Sequence, residues 1–301
     1  MDPVKRSLIS LHFTVVLLGG TALFSQVIPL NATDITLGRS VFACIALMLY
    51  LWVSGESFRL GSRKDYTVAI TLGVLMAAHW VTYFAAMQYA GVSVGMIALF
   101  TFPVITVLIE PFFERIRLVW QDFISAIAVL VGIYFIVPEV SLENDVTLGV
   151  IIGIFSAVLY SFRNLIHRQH FSHYSGAKAM AWQILIVCIC ILPLGSEALV
   201  DAPMSAWWLL LLLGSVFTAL PHALIAACLT HLRAKTFSLI ACMQPFYGVI
   251  LAIILLGESP GWRALLGGVL VTSASIYETM NTHKLHKKDA NNADSGASRS
   301  K

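Results

Sequence analysis

The chain has 301 residues, of which 58% are hydrophobic and only 12% are charged, and its formal net charge at pH 7 is +3. An average soluble domain carries about 25% charged residues, so this composition excludes an ordinary soluble enzyme. The small net charge, which is not clustered on an aromatic surface stretch, also argues against nucleic acid as a partner.

Apolar runs of membrane length recur along the whole chain. A hydrocarbon core of about 30 Å needs roughly 20 helical residues for each crossing. This criterion predicts an all-α integral membrane protein with ten transmembrane helices, short loops and no room for a soluble second domain. The predicted helices lie at residues 8–29, 35–53, 67–89, 93–113, 119–137, 147–167, 177–194, 204–230, 234–256 and 261–280.

The distribution of basic residues predicts the orientation of these helices, because Lys and Arg flanks are retained on the cytoplasmic side. With the N-terminus inside, most basic residues fall in inner loops and in the C-terminal tail, whereas outer loops carry acids such as Glu143 and Glu197. We therefore expect both termini in the cytoplasm, most simply at a bacterial inner membrane. Residues 282–301 are polar and predict a disordered cytoplasmic tail.

The two halves of the chain share a pattern. Pro103 begins an apolar helix that ends at Glu114, Pro245 begins one that ends at Glu258, and a glycine-containing helix follows each. An offset of 142 residues pairs the two prolines. Five helices per half is an odd number, so the second half enters the membrane from the opposite side and the halves form an inverted repeat. We predict that residues 1–140 and 141–281 are the two repeats.

Three segments resemble the drug/metabolite transporter superfamily, specifically its EamA-type ten-helix proteins. These segments are Gly38-Arg39-Ser40, residues 98–114 with Pro103, and residues 244–258 with Pro245 and the ending Leu-Gly-Glu. The first copy of the motif departs from the family pattern because Leu-Gly does not precede Glu114. The resemblance implies a central cavity lined by helices one to four and six to nine, with the fifth and tenth outside it. It also implies transport of small metabolites, often outward.

Small residues at every fourth position mark helix interfaces in lipid, because they let two backbones approach closely. Gly149, Gly153, Ala157 and Ser161 form such a stripe along the sixth predicted helix. We predict that this stripe packs against another helix.

The most deeply placed ionisable groups are His79 in the third predicted helix and His222 in the eighth. The offset that pairs the two prolines pairs His222 with Trp80, so the histidines are near equivalents in the two halves. One interpretation is structural, with each neutral imidazole hydrogen-bonded to a neighbouring helix. The other is that both line the cavity and bind substrate or carry protons, since histidine changes charge near neutral pH.

Aromatic and amide side chains accompany these histidines. Trp80 follows His79, and Tyr83 lies one helical turn farther along the same face; Gln244 and Tyr247 share a face beside Pro245. We predict that Trp80, Tyr83, Gln244 and Tyr247 bind substrate, with plain packing as the alternative for each.

Three further charged residues lie within or at the ends of predicted spans. Arg163 either extends to the cytoplasmic interface or attracts an anionic substrate group, and we include it among the substrate-binding candidates. Glu110 is either an ion-coupling carboxylate or an interfacial one. Arg39 either pairs with Asp34 or acts at an outer gate, and the sequence does not separate these.

These observations predict a secondary transporter, an exporter or exchanger, of small organic metabolites such as amino acids, amines or related drugs. It would work by alternating access through the central cavity. The alternatives are an intramembrane enzyme and a non-transporting scaffold or sensor. Motifs for nucleotide, metal or cofactor binding are not found, so we expect no cofactor, no metal and no catalytic residues. The expected partners are a small-molecule substrate and the lipid bilayer, and a homodimer is an open alternative to a monomer.

Overall fold

A computed structural model of the protein describes residues 3–113, 118–137, 141, 143–229, 240–277 and 280, and this part of the chain contains helices and no strand. The main helices are numbered here in chain order: α1 (Arg6–Val27), α2 (Ala32–Val53), α3 (Arg63–Ala90), α4 (Val92–Phe112), α5 (Trp120–Ile136), α6 (Asp145–His170), α7 (Gly176–Leu194), α8 (Met204–His222, helical on to Leu229), α9 (Gln244–Leu256) and α10 (residues 262–277).

The prediction of an all-helical membrane protein is confirmed. Seven of the helices in the described residues are long and apolar enough to cross a membrane, whereas α5 and α9 are apolar but shorter. The count of ten crossings therefore stays a prediction. The predicted helix end at Glu114, the predicted start of the ninth span at residue 234 and the tail at 282–301 lie outside the described residues.

Several helices begin at a residue whose side chain caps the free amides of the first turn. Asn31 accepts a hydrogen bond from the amide of Asp34, Ser62 does the same at α3, and Asn144 and Ser175 do so at α6 and α7. Such caps satisfy donors that have no partner within the helix. The polar residues between the apolar runs therefore define where each helix starts.

The two proline motifs interrupt the chain in the same way. The helical pattern of α4 breaks at residues 100–101 and resumes at Phe102, while the helical residues at 240–241 give way to a turn at 242–243 before α9 starts at Gln244. The breaks are 142 residues apart, the offset that pairs Pro103 with Pro245. Proline has no amide proton, so the carbonyl four residues earlier loses its helical donor. The affected carbonyls are those of Leu99 and Ala241.

Helices α3 and α6 approach each other very closely. A Cβ atom at Gly149 would lie 2.8 Å from the backbone nitrogen of Ala90 and 2.9 Å from the carbonyl oxygen of Ala86, so only glycine fits there. One turn farther along α6, Gly153 packs on Ala98 of α4, and Ser161 is fully buried. The predicted packing stripe of α6 is confirmed.

Helices α5 and α10 meet through a pair of glycines. A Cβ at Gly267 would lie 2.5 Å from the carbonyl oxygen of Gly132, and a Cβ at Gly132 would lie 3.0 Å from that of Gly267. In addition, Gly268 faces Ile97 of α4. The two helices that the resemblance puts outside the cavity therefore pack against each other and against α4.

Glu258 connects the chain after α9 to the first turn of α4. Its carboxylate accepts hydrogen bonds from the amides of Val92 and Ser93 at 2.7 and 3.0 Å, and from the Ser93 hydroxyl at 2.6 Å. A carboxylate at this position satisfies free amides and interacts favourably with the helix dipole. The C-terminal part of the chain thus supplies the N-terminal cap of a helix in the first part.

We expect Gly149→Ala to lower the free energy of unfolding by about 1–3 kcal/mol, because the added methyl group overpacks the α3–α6 contact. The matched control is Gly261→Ala, since a Cβ at Gly261 has no neighbour within 4 Å. Thermal unfolding of the detergent-solubilised variants measures both. Equal unfolding temperatures for the two variants would contradict the packing argument.

We expect Glu258→Gln to lower the free energy of unfolding by about 1–2 kcal/mol, because charge-assisted hydrogen bonds to the first turn of α4 are lost. Glu197→Gln is the control, since that exposed carboxylate lies in the first turn of the short helix Glu197–Val200. The same unfolding measurement applies. A Glu258→Gln protein as stable as the control would show that the cap adds nothing.

Candidate functional site

A cavity of about 740 Å³ lies among the helices, within the volume range of small-molecule sites. Its lining residues come from α1 to α4, from α6 to α8 and from residues 241–244, and none of those in the described part of the chain belongs to α5 or α10. This matches the arrangement that the family resemblance implies. The polar and charged members of the lining are Thr21, Arg39, His79, Tyr83, Thr106, Glu110, Tyr160, Arg163, Asn164, His167, Arg168, Thr218, His222 and Gln244.

His79 is fixed by Ser156 across the α3–α6 contact. The Ser156 hydroxyl donates to the His79 carbonyl oxygen at 2.9 Å, so its oxygen can accept from Nδ1 of the same histidine, 2.8 Å away. The Ser156 carbonyl oxygen, which only accepts, lies 3.1 Å from Nδ1. Nδ1 therefore carries the proton, and in the neutral ring Nε2 is an acceptor. Tyr160 stacks on the imidazole with ring centroids 4.7 Å apart.

His222 is held in a similar way but within its own helix. Its Nδ1 lies 2.6 Å from the carbonyl oxygen of Thr218, which can only accept, so Nδ1 is again the donor. The preceding residues Ser215–Ala219 form a π-helical turn, an irregularity that is frequent at functional sites. Both histidines thus use Nδ1 for a structural bond and keep Nε2 as an acceptor. The bond to a neighbouring helix is present for His79 but not for His222, both residues line the cavity, and substrate binding stays a prediction.

Arg39 lies over two aromatic rings. Its guanidinium carbon is 3.7 Å from the centroid of the Trp80 ring and 4.8 Å from that of Phe84. The residue is 2% exposed, and its buried Nε has no hydrogen-bond partner among the described residues. Asp34 instead binds Asn31 and Ser196. Of the two roles considered for Arg39, the pairing with Asp34 is therefore wrong.

Arg163 is held by neutral groups from α6 and α7. Its Nε donates to the Gln183 side-chain oxygen at 2.8 Å and its Nη1 to the Asn164 side-chain oxygen at 2.9 Å. No described carboxylate lies within ion-pair distance of it. Arg163 therefore stays at the cavity wall instead of extending to the interface.

Glu110 forms an ion pair with Arg168 between α4 and α6. The Glu110 side chain is 6% exposed and that of Arg168 is 43% exposed, so the pair lies where the cavity meets the protein surface. Next to it, Gln169 donates to the carbonyl oxygen of Phe113 at 2.8 Å. These contacts hold the end of α4 against α6.

The other predicted binding residues divide into two groups. Trp80, Tyr83 and Gln244 line the cavity, with Gln244 donating to the Leu18 carbonyl oxygen at 3.4 Å. Tyr247 is not among the cavity-lining residues, and its hydroxyl lies 3.1 Å from Nδ1 of His12. The helical periodicity of the sequence places Tyr247 on the same face as Gln244, but it does not show that α1 packs against the Tyr247 side chain.

Comparisons with known proteins agree with this geometry. The EamA-like transporter family matches residues 6–137 and again residues 147–277. An uncharacterized transporter of Bacillus subtilis, YxxF, is 22% identical over 89% of this chain and 87% of its own length. The pseudopaline exporter CntI of Pseudomonas aeruginosa is 22% identical over 82% of this chain and 86% of its own, and an S-adenosylmethionine uptake transporter of Rickettsia felis is 18% identical over 82% and 83%.

A solved crystal structure shares the fold, with a TM-score of 0.64 at 15% identity over 93% of this chain and 98% of the other. The relatives named by function are transporters, one for uptake and one for export. The similarity therefore indicates transport and leaves the solute and its direction to be determined.

We expect Arg168→Gln to destabilise the protein more than Glu110→Gln does. Without Arg168 the buried Glu110 carboxylate loses its cation, whereas without Glu110 the half-exposed Arg168 still reaches water. Unfolding temperatures of the two variants, with Arg59→Gln as an exposed control, measure the difference. Equal losses would contradict the unequal burial of the two partners.

Proposed function

Since the chain belongs to the EamA-like transporter family, we propose that this multi-pass membrane protein is a secondary transporter of small organic solutes. The solute would occupy the central cavity and be exposed alternately to the two sides of the membrane. The moving units are two inverted halves, residues 1–140 and 141–281, in a bacterial inner membrane with both termini in the cytoplasm.

The observation that carries the proposal is the pair of helix breaks in the cavity wall. The residues before Pro103 and those before Pro245 both line the cavity, including Leu99, Phe100, Ala241 and Cys242. Interrupted helices in equivalent positions of two halves are typical of substrate sites in secondary transporters, because non-helical backbone at membrane depth is tolerated where it lines a cavity.

Contacts between the halves at two places suit alternating access. At one end Glu258 caps the first turn of α4, and at the other Arg168 of α6 pairs with Glu110 of α4. Glu258 and Arg168, the two residues that contact α4 here, both lie in the second predicted half of the chain. Opening the cavity to one side requires one of these contacts to break while the other holds.

An intramembrane enzyme is less well supported by the same geometry. Such an enzyme needs a nucleophile or activated water beside a base and an oriented third group. In the described residues the Ser156 hydroxyl beside His79 contacts Nδ1 and donates to the His79 carbonyl oxygen, so it is not placed for activation by Nε2, and Glu110 is paired with Arg168. Membership of the family and the similarity to named transporters also favour transport over catalysis.

Reconstitution in liposomes tests the proposal directly. Vesicles preloaded with one member of a panel of amino acids, amines and aromatic carboxylates should take up the same labelled solute by exchange. Protein-free vesicles and vesicles with heat-denatured protein are the controls. If correctly folded protein catalyses neither net flux nor exchange of any solute in the panel, the transporter proposal is overturned. The alternative of a non-transporting scaffold or sensor then remains.

We expect His79→Ala and His222→Ala each to lower kcat/KM for transport about tenfold, the order expected when one hydrogen bond to a bound solute is lost. His173→Ala is the matched control, because that histidine is exposed in the loop before α7. Initial uptake rates in proteoliposomes measure the effect at equal protein content. Unchanged rates and unchanged pH dependence in both cavity variants would remove the histidines from the site.

A further inference from the structure

Two guanidinium groups in the cavity have no carboxylate partner among the described residues, and they point to the charge of the solute. We propose that the cavity binds organic anions through a carboxylate group that pairs with Arg39 in one position of the solute and with Arg163 in another. This inference rests on the proposed transport function, because it names the class of solute that the same cavity takes. It disfavours amines, which were among the solutes expected from the sequence.

The surroundings of Arg39 determine the direction from which a ligand can reach it. Trp80 and Phe84 cover the guanidinium group, with Trp80 at stacking distance, so its N–H donors remain available mainly in the plane of the group. One of these donors, Nε, is buried and has no hydrogen-bond partner in the described part of the chain. A carboxylate approaching edge-on accepts two parallel hydrogen bonds from such a group.

Stacking on aromatic rings compensates only in part for the burial of this cation. A guanidinium within a membrane span is costly unless it faces protein acceptors or water, and aromatic rings supply a weaker attraction than a carboxylate. Arg39 is 2% exposed and lines the cavity. An anionic ligand therefore adds the counter-charge that the described protein does not provide.

Arg163 supplies a second cation with the same deficit. Its partners among the described residues, Gln183, Asn164 and the sulfur of Met180, are all neutral. These contacts orient the guanidinium without neutralising it. The group therefore remains able to attract an anion at the cavity wall.

The remaining charges of the cavity do not cancel these two. The lining includes three arginines, and Glu110, the described carboxylate in it, pairs with Arg168. The other acceptors at the described wall are neutral, among them Nε2 of His79 and of His222 and the carbonyls before the prolines. A solute ammonium group would thus meet neutral dipoles and one carboxylate that is already paired, whereas a carboxylate meets full charges.

The two arginines lie toward opposite ends of the cavity. Gln88 donates to the carbonyl oxygen of Leu30, and Gly149 packs on Ala90, so α2 and α6 begin at the same end of the bundle. Arg39 is about 10 Å from the start of α2, and Arg163 is about 10 Å from the far end of α6, at 1.5 Å per helical residue. An anion therefore meets a guanidinium on approach from either side.

Three ligands with the same aromatic body test the charge preference. Phenylpropionate, phenylalanine and phenethylamine carry a ring on a two-carbon chain and are negative, neutral overall and positive at pH 7. Binding to the detergent-solubilised full chain is measured by thermal shift and by calorimetry. We expect phenylpropionate to bind most tightly, phenylalanine at least tenfold more weakly and phenethylamine more weakly still.

Variants connect this preference to the two arginines. The double variant Arg39→Gln/Arg163→Gln should weaken phenylpropionate binding at least tenfold, and each single glutamine variant should weaken it less because one guanidinium remains. Arg39→Lys should lose less than Arg39→Gln because it keeps the charge. Arg263→Gln, at an exposed arginine beside Trp262, is the control and should bind as the parent does. Unfolding temperatures measured without ligand show which variants fold. If Arg39→Gln does not fold, phenylpropionate binding to Arg39→Lys and to Arg163→Gln decides the test.

The outcomes separate this inference from the transporter proposal. Binding of phenethylamine as tight as that of phenylpropionate, binding of none of the three ligands, or unchanged binding in the double glutamine variant would overturn the anion site. If phenethylamine crosses proteoliposomes and phenylpropionate does not, transport stands and the anion site falls. If phenylpropionate binding depends on the two arginines but no solute crosses, the anion site stands and the transport proposal falls.

Discussion

Close backbone contact between α3 and α6 is the constraint on which the cavity depends. In lipid, apolar side chains gain little from leaving one hydrocarbon phase for another, so helices associate where small residues let them approach and where polar groups bond across the contact. Gly149 meets the backbone of α3 at Ala86 and Ala90, and two turns farther along α6 Ser156 reaches His79. The glycine contact therefore brings the serine and the histidine within hydrogen-bonding distance and determines where the imidazole faces the cavity.

The polar groups of the cavity are held in place by the protein before any solute arrives. Each histidine is oriented through Nδ1, Arg39 is oriented by stacking on Trp80, and Arg163 is oriented by Gln183. Each of these contacts limits rotation of a side chain that would otherwise lose freedom on binding. Binding then costs less conformational entropy, because the groups are already ordered. Such pre-organisation suits a site that discriminates solutes by charge.

The sequence predicted local features well and long-range contacts poorly. Helix positions, the stripe at Gly149 and the proline breaks follow from hydropathy and from residue chemistry, which act within a few residues of the chain. The cavity face of α3 was also predictable, because His79 and Tyr83 are one turn apart. The role of Arg39 was not, since its orientation depends on where α3 packs against α2. The contact of Tyr247 with His12 of α1 and the cap that Glu258 provides to α4 likewise join residues more than 160 positions apart.

Helix α4 connects these features, because the second half of the chain contacts it at both ends. Glu258 binds two backbone amides and a hydroxyl of its first turn, whereas Arg168, whose side chain is 43% exposed, pairs with the Glu110 side chain. Solvent near Arg168 weakens that ion pair and hydrates the guanidinium when it separates, whereas the free amides of a helix terminus lose partners that are harder to replace. Under alternating access, the contact at Arg168 is therefore the easier one to open. The helix break at residues 100–101 lies between the two contacts, so under alternating access it is the place where one part of α4 would move while the other remains attached.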